Sequence, residues 1–89
     1  MSYLKTISPA TGNPLVYYVT EATIATINKH RDVEEALRRY GQCVAVGWKQ
    51  RDGGIQWCHP RNGTVVTEIW HEVDTAPRAV DVLGSHPRK

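Results

Sequence analysis

The chain has 89 residues, 40% of them hydrophobic and 22% charged, with a formal net charge of +2. That is the profile of one small folded domain and excludes intrinsic disorder, while the near-neutral balance gives no push toward phosphate-rich partners. There is no apolar run long enough to span a bilayer, and the opening MSYLKTISPATG lacks the apolar stretch of a secretion signal, so a cytoplasmic, membrane-free protein is expected.

Tyr3 to Ser8 reads as a short strand, and the prolines, glycine and asparagine of Pro9 to Pro14 form a loop. Leu15 to Thr20 is β-branched and aromatic, hence a second strand, and the two flank the loop as an N-terminal hairpin. From Glu21 the period changes. Ala22, Ile24, Ala25 and Ile27 leave a helical trace to about His30, with Thr20 as N-cap. A second helix is better marked: Asp32 caps, Glu34 and Glu35 occupy the first turn, Arg38 and Arg39 the last, and Gly41 follows as a stop. Val33, Ala36, Leu37 and Tyr40 make one apolar stripe, which must dock on a sheet for so short a helix to be stable.

Gln42 to Val73 reads as a three-stranded meander holding all three tryptophans and both cysteines. Asp52-Gly53 and Asn62-Gly63 suit two-residue turns, in which both central residues take positive φ. The first turn then sets Trp48 opposite Trp57, Val46 opposite His59 and Gly47 opposite Cys58. The second sets His59 against Val66, Trp57 against Glu68 and Ile55 against Trp70. One face collects Val44, Val46, Trp48, Ile55, Trp57, His59, Val66, Glu68 and Trp70. The other collects Cys43, Ala45, Gly47, Lys49, Gln56, Cys58, Val65, Thr67, Ile69 and Val73. Gly54 would also allow Gly53-Gly54 as the first turn, and a slip of one residue moves a whole strand to the opposite face. After Asp74-Thr-Ala-Pro77, Ala79 to Leu83 is expected as a further strand or turn, within a partly ordered tail running from residue 74 to 89.

The expected architecture is α+β: an antiparallel sheet built on the C-terminal meander, with the N-terminal hairpin and one or two helices packed on it. A right-handed crossover from Leu15 to Lys49 would make that sheet mixed.

Three indoles near one sheet face either form the core beneath a helix or, if the helix packs on the small-residue face of Cys43, Ala45, Gly47 and Cys58, need other cover. An uncovered aromatic patch marks an interaction site. Trp57, central in the meander, is expected to be partly exposed. Trp48, Trp57 and Trp70, with the interleaved Lys49, Arg51, His59 and Arg61, are therefore the candidate interaction residues. Asp52, Glu68, Glu72 and Asp74 dilute the positive charge around them.

Catalytic signals are missing: no nucleophile elbow, phosphate-binding loop, dinucleotide fingerprint or zinc-protease motif is present. Cys58 with His71, or His59 with Glu68, could form a dyad, but no spacing fixes either pair. Cys43, Cys58, His59 and His71 have the wrong spacing for a zinc ribbon or finger, and the two cysteines are expected to be free thiols. No metal or other cofactor is expected. Asn62-Gly-Thr64 matches a glycosylation sequon, which the turn explains without secretion.

Two functions follow. The first is a non-enzymatic protein-interaction module, an inhibitor or adaptor of the kind encoded by a phage or mobile element, binding another protein or a second copy of itself through an aromatic and apolar face. The second is a single-stranded nucleic-acid binder that stacks bases on the same aromatics.

Overall fold

The computed structural model describes residues 2–84 and is an α+β fold with an all-antiparallel four-stranded sheet. Strands β1 (Ser2–Ile7), β2 (Pro14–Val19), β3 (Gln42–Lys49) and β4 (Ile55–Cys58) lie side by side in chain order. Helices α1 (Glu21–Ile27) and α2 (Val33–Tyr40) join β2 to its neighbour β3, so the sheet has no crossover and is not mixed. Helices α3 (Trp70–Asp74) and α4 (Ala79–Leu83) follow β4.

The N-terminal hairpin and the first two helices form as their residues dictate. Ser8 and Asn13 close a four-residue loop whose last member, Gly12, has φ of +79°. Thr20 caps α1, its hydroxyl accepting the Thr23 N–H at 3.3 Å, and the helix stops at Ile27 rather than reaching His30. Asp32 Oδ1 accepts the N–H groups of Glu34 and Glu35 at 3.1 and 3.2 Å. Asp32→Ala should therefore lower stability by about 1 kcal/mol, the usual worth of such a cap, as measured by the midpoint of denaturant unfolding. Val33, Ala36 and Leu37 are buried as the stripe requires, whereas Tyr40 at the helix end stays half-exposed with its ring 5.0 Å from that of His30.

Each sheet face carries its own apolar cluster. Leu4, Tyr17 and Val19 meet Ile27, Val33, Ala36 and Leu37 of the helical pair and Ala79 of α4. On the opposite face Val16, Ala45 and Trp57 meet Val66, Val73 and Ala76. A β-bulge divides β3 between them. Val16 pairs with Ala45 but Tyr17 with Cys43, leaving Val44 as the extra residue. Cys43 therefore joins the helix-covered face and Ala45 the other, where strict alternation would have kept them together.

The meander departs from its expected register in both turns. Gln50 and Gly54 close the first loop, so Arg51, Asp52 and Gly53 form a three-residue connection with Gly53 at φ of +90°. This shifts β4 by one residue: Trp48 lies opposite Gln56, Gly47 opposite Trp57 and Val46 opposite Cys58. His59 and Thr64 close the second loop, making Pro60 to Gly63 a four-residue connection rather than a two-residue turn. The third meander strand is not formed. Val65 makes a single bridge to Cys58, and the chain then turns into α3, where a strand opposite Ile55 to His59 was expected.

The segment after β4 crosses the second face as a strap. At its start the Val66 N–H donates to the Trp57 carbonyl at 2.9 Å, and at its end the Lys5 N–H donates to the Pro77 carbonyl at 2.8 Å. Lys5 Nζ also reaches the Asp74 carbonyl at 3.0 Å. Ala79 to Leu83, expected as a strand or turn, is helix α4, with Ala79 fully buried and Leu83 packed against the helix-side cluster. Of the stretch read as a tail, residues 85–89 lie outside the described residues.

Candidate interaction site

The one-residue shift of β4 separates the three indoles. Trp57 now points to the strap side, opposite Gly47 and 5% exposed. Its Nε1 donates to Asp74 Oδ1 at 3.3 Å. Gly47 is what admits the ring: a Cβ there would lie 2.9 Å from Trp57 Cζ3, 2.8 Å from Ile55 Cγ2 and 2.7 Å from Pro14 Cγ. Trp57 is thus a core residue, and the partial exposure expected for it is not found. Trp48 projects from the other face beside Gln56 and is 50% exposed. Trp70, at the first position of α3, is 54% exposed with its ring 5.9 Å from that of His71. The expected common face of three tryptophans does not exist, because Trp48 and the α3 strap belong to opposite sides of the sheet.

What replaces it is a strip on the helix side that the helices do not reach. Leu15 pairs with Val46, Val46 with Cys58, and Cys58 with Val65, so these four lie in one row across the sheet. Trp48 stands two residues further along β3 on the same side. The helices cover the neighbouring half, over Leu4, Tyr17 and Val19. Leu15 and Val46 are partly exposed and Val65 is 48% exposed, so the row and Trp48 together form an apolar surface open to solvent. Lys49 and Arg51 sit exposed at its loop end, next to Trp48.

His59 and Arg61 belong to a different place. β3 runs on beyond its last pair with β4, at Val46 and Cys58, so Gln42 to Val44 have no partner strand on that side. The second loop and the residues before α3 stand off from this bare edge and leave an open cleft of about 860 Å³, lined by Gln42, Val44, His59, Arg61, Glu68 and Ile69 among others. Glu68 is held below the usual carboxylate range by the backbone N–H groups of Glu68 itself and Thr67, with His59 adding to the effect. The Cys43 thiol, which also borders the cleft, is pushed up by burial and so is a poor nucleophile. Sequence reading located His59 and Arg61 but not Gln42, Val44 or Ile69, whose role appears only once the loop length sets where β4 begins.

Among the described residues no three histidine, cysteine or acidic side chains converge as a metal site would require, and both cysteines are free. Among the same residues no helix is long and apolar enough to cross a membrane. No protein-family model matches the chain, and the curated proteins and solved structures compared with it give no match either.

Proposed function

We propose that the chain is a non-enzymatic protein-interaction module that binds another protein on the apolar strip of Leu15, Val46, Val65 and Trp48. The observation that carries this is the half-exposed Trp48 at the end of a sheet row that no helix covers. A tryptophan anchored in a strand and flanked by β-branched residues presents large apolar area at small entropic cost, which is the make-up of an interface hot spot. Lys49 and Arg51 supply a polar rim. Two free thiols suit a reducing, cytoplasmic setting, where the role would be that of an inhibitor or adaptor. A phage or mobile-element source fits the same proposal.

The nucleic-acid alternative is weaker on this geometry. Stacking of successive bases needs a run of aromatics, and with Trp57 buried the sheet offers one exposed indole on the helix side. The cations are also divided, Lys49 and Arg51 at one end of β4 and His59 and Arg61 at the other.

The test is photo-crosslinking from a reactive side chain placed at Gln56, followed by purification of whatever protein is joined there. Trp48→Ala should stay folded and lower that protein's affinity by at least about 2 kcal/mol, with little dependence on salt. Unchanged affinity in Trp48→Ala would remove the strip as the interface. Tight oligonucleotide binding that falls steeply with salt would instead favour the alternative.

A further inference from the structure

The bare edge of β3 asks for a different kind of ligand from the apolar strip. Where β3 is paired, its main-chain groups meet β4, as at Val46, Trp48 and the Gln50 N–H, which donates to the Gly54 carbonyl at 2.8 Å. Over Gln42 to Val44 that strand neighbour is lacking, because β4 starts and ends too early. The flanking loop cannot move in to replace it. His59 and Thr64 are locked to each other at 2.7 Å, Gly63 to the His59 carbonyl at 3.0 Å, and Asn62 Oδ1 accepts both the N–H and the hydroxyl of Thr64. The gap is therefore built into the fold.

We propose that this cleft takes an extended peptide segment of a partner protein, added as a strand along Gln42 to Val44 and carrying an acidic side chain against Arg61. Main-chain pairing supplies the affinity, as it does whenever a peptide extends an exposed sheet edge, and the walls select alternate side chains. The volume of about 860 Å³ lies within the range of ligand clefts. Val44 and Ile69 give the floor an apolar component, which favours a β-branched residue next to the acidic one. The charge argument fixes the sign. Glu68 and His59 face one another across the cleft, so Arg61, exposed on the loop, is left as the uncompensated charge of the lining. This site is separate from the Trp48 strip and stands whether or not that strip binds anything.

A displayed library of random short peptides, selected on the wild-type protein and counter-selected on Arg61→Glu, tests the proposal. Arg61 is an exposed loop side chain, so the variant should keep the wild-type circular dichroism spectrum. The expected outcome is enrichment of Asp or Glu beside Val, Ile or Thr, with bound peptide slowing amide exchange at Gln42 to Val44. A synthetic copy of the enriched peptide with alternate amides N-methylated should bind at least about tenfold more weakly, through loss of main-chain hydrogen bonds. The proposal is overturned by any of four results: no enrichment over the counter-selection, enrichment without carboxylates, protection elsewhere in the chain, or equal binding of the N-methylated copy. It is also overturned if sedimentation shows the edge already occupied by a second copy, with exchange at Gln42 to Val44 slowing as the dimer forms.

Discussion

Trp57→Ala is expected to cost roughly 3–5 kcal/mol, the range for deleting a large buried aromatic. Trp57 contributes to its cluster in two ways. Its ring fills the space that Gly47 leaves vacant between Pro14 and Ile55, and its Nε1 ties the sheet to Asp74 at the end of α3. Truncation opens a cavity between sheet and strap and leaves the Asp74 carboxylate without that donor. Small domains have only about 5–15 kcal/mol in total, so a large part of the variant population should unfold. The readout that separates this from an interface role is fluorescence. A variant with Trp48 and Trp70 replaced by phenylalanine retains only Trp57, and its emission should be blue-shifted and protected from an aqueous quencher. Red-shifted, quenchable emission would mean that the strap is not seated on Trp57 in solution.

The second large effect is at Leu37. It is fully buried at the centre of the helix-side cluster, and Leu37→Ala should cost on the order of 2–5 kcal/mol. α2 has eight residues, too few to persist without docking, so the loss should appear in the helix itself as well as in the global midpoint. Hydrogen exchange of the Gly41 N–H, which bonds to the Leu37 carbonyl at 2.8 Å, reports on the last turn directly. A denaturant midpoint that did not move would show that the stripe of Val33, Ala36 and Leu37 faces solvent and that the helix is free to serve a partner.

Local signals made the first half of the chain legible. At α2 the cap, the charge order of Glu34, Glu35, Arg38 and Arg39, and the apolar stripe all agree, and the helix formed where they placed it. The meander misled because its turn dipeptides were read without their neighbours. Ser8-Pro-Ala-Thr-Gly-Asn13 and His59-Pro-Arg-Asn-Gly-Thr64 share one pattern, proline opening a four-residue loop and glycine closing it with positive φ. Proline fixes the first loop residue near φ of about −65°, which a turn with positive φ at both centres does not permit. Asn62-Gly63 is therefore the end of a loop and not the centre of a turn. The same applies to the lost third strand: Ile69, Val73 and Ala76 are spaced for one face of a helix, and all three pack against the sheet. No comparable signal marks the bulge at Val44, which arises from fitting two clusters onto opposite sides of one strand. The cleft was illegible for that reason. It is a property of pairing, set by where strands stop, rather than of any residue type.

The strap has a consequence for the order in which the chain is made. Its first residues hydrogen-bond to β4 and its last to β1, the two outermost strands, so a single late segment closes both sides of the sheet. A ribosome that has released only residues 1–64 has produced all four strands, yet their flanks are still bare and Trp57 has no cover. Such a nascent sheet can recruit other chains through its flanks, the route by which unprotected strands aggregate. Premature termination before Val65 is thus more hazardous to the cell than its short length suggests, and completion of the last quarter of the chain is the step that makes the fold self-contained.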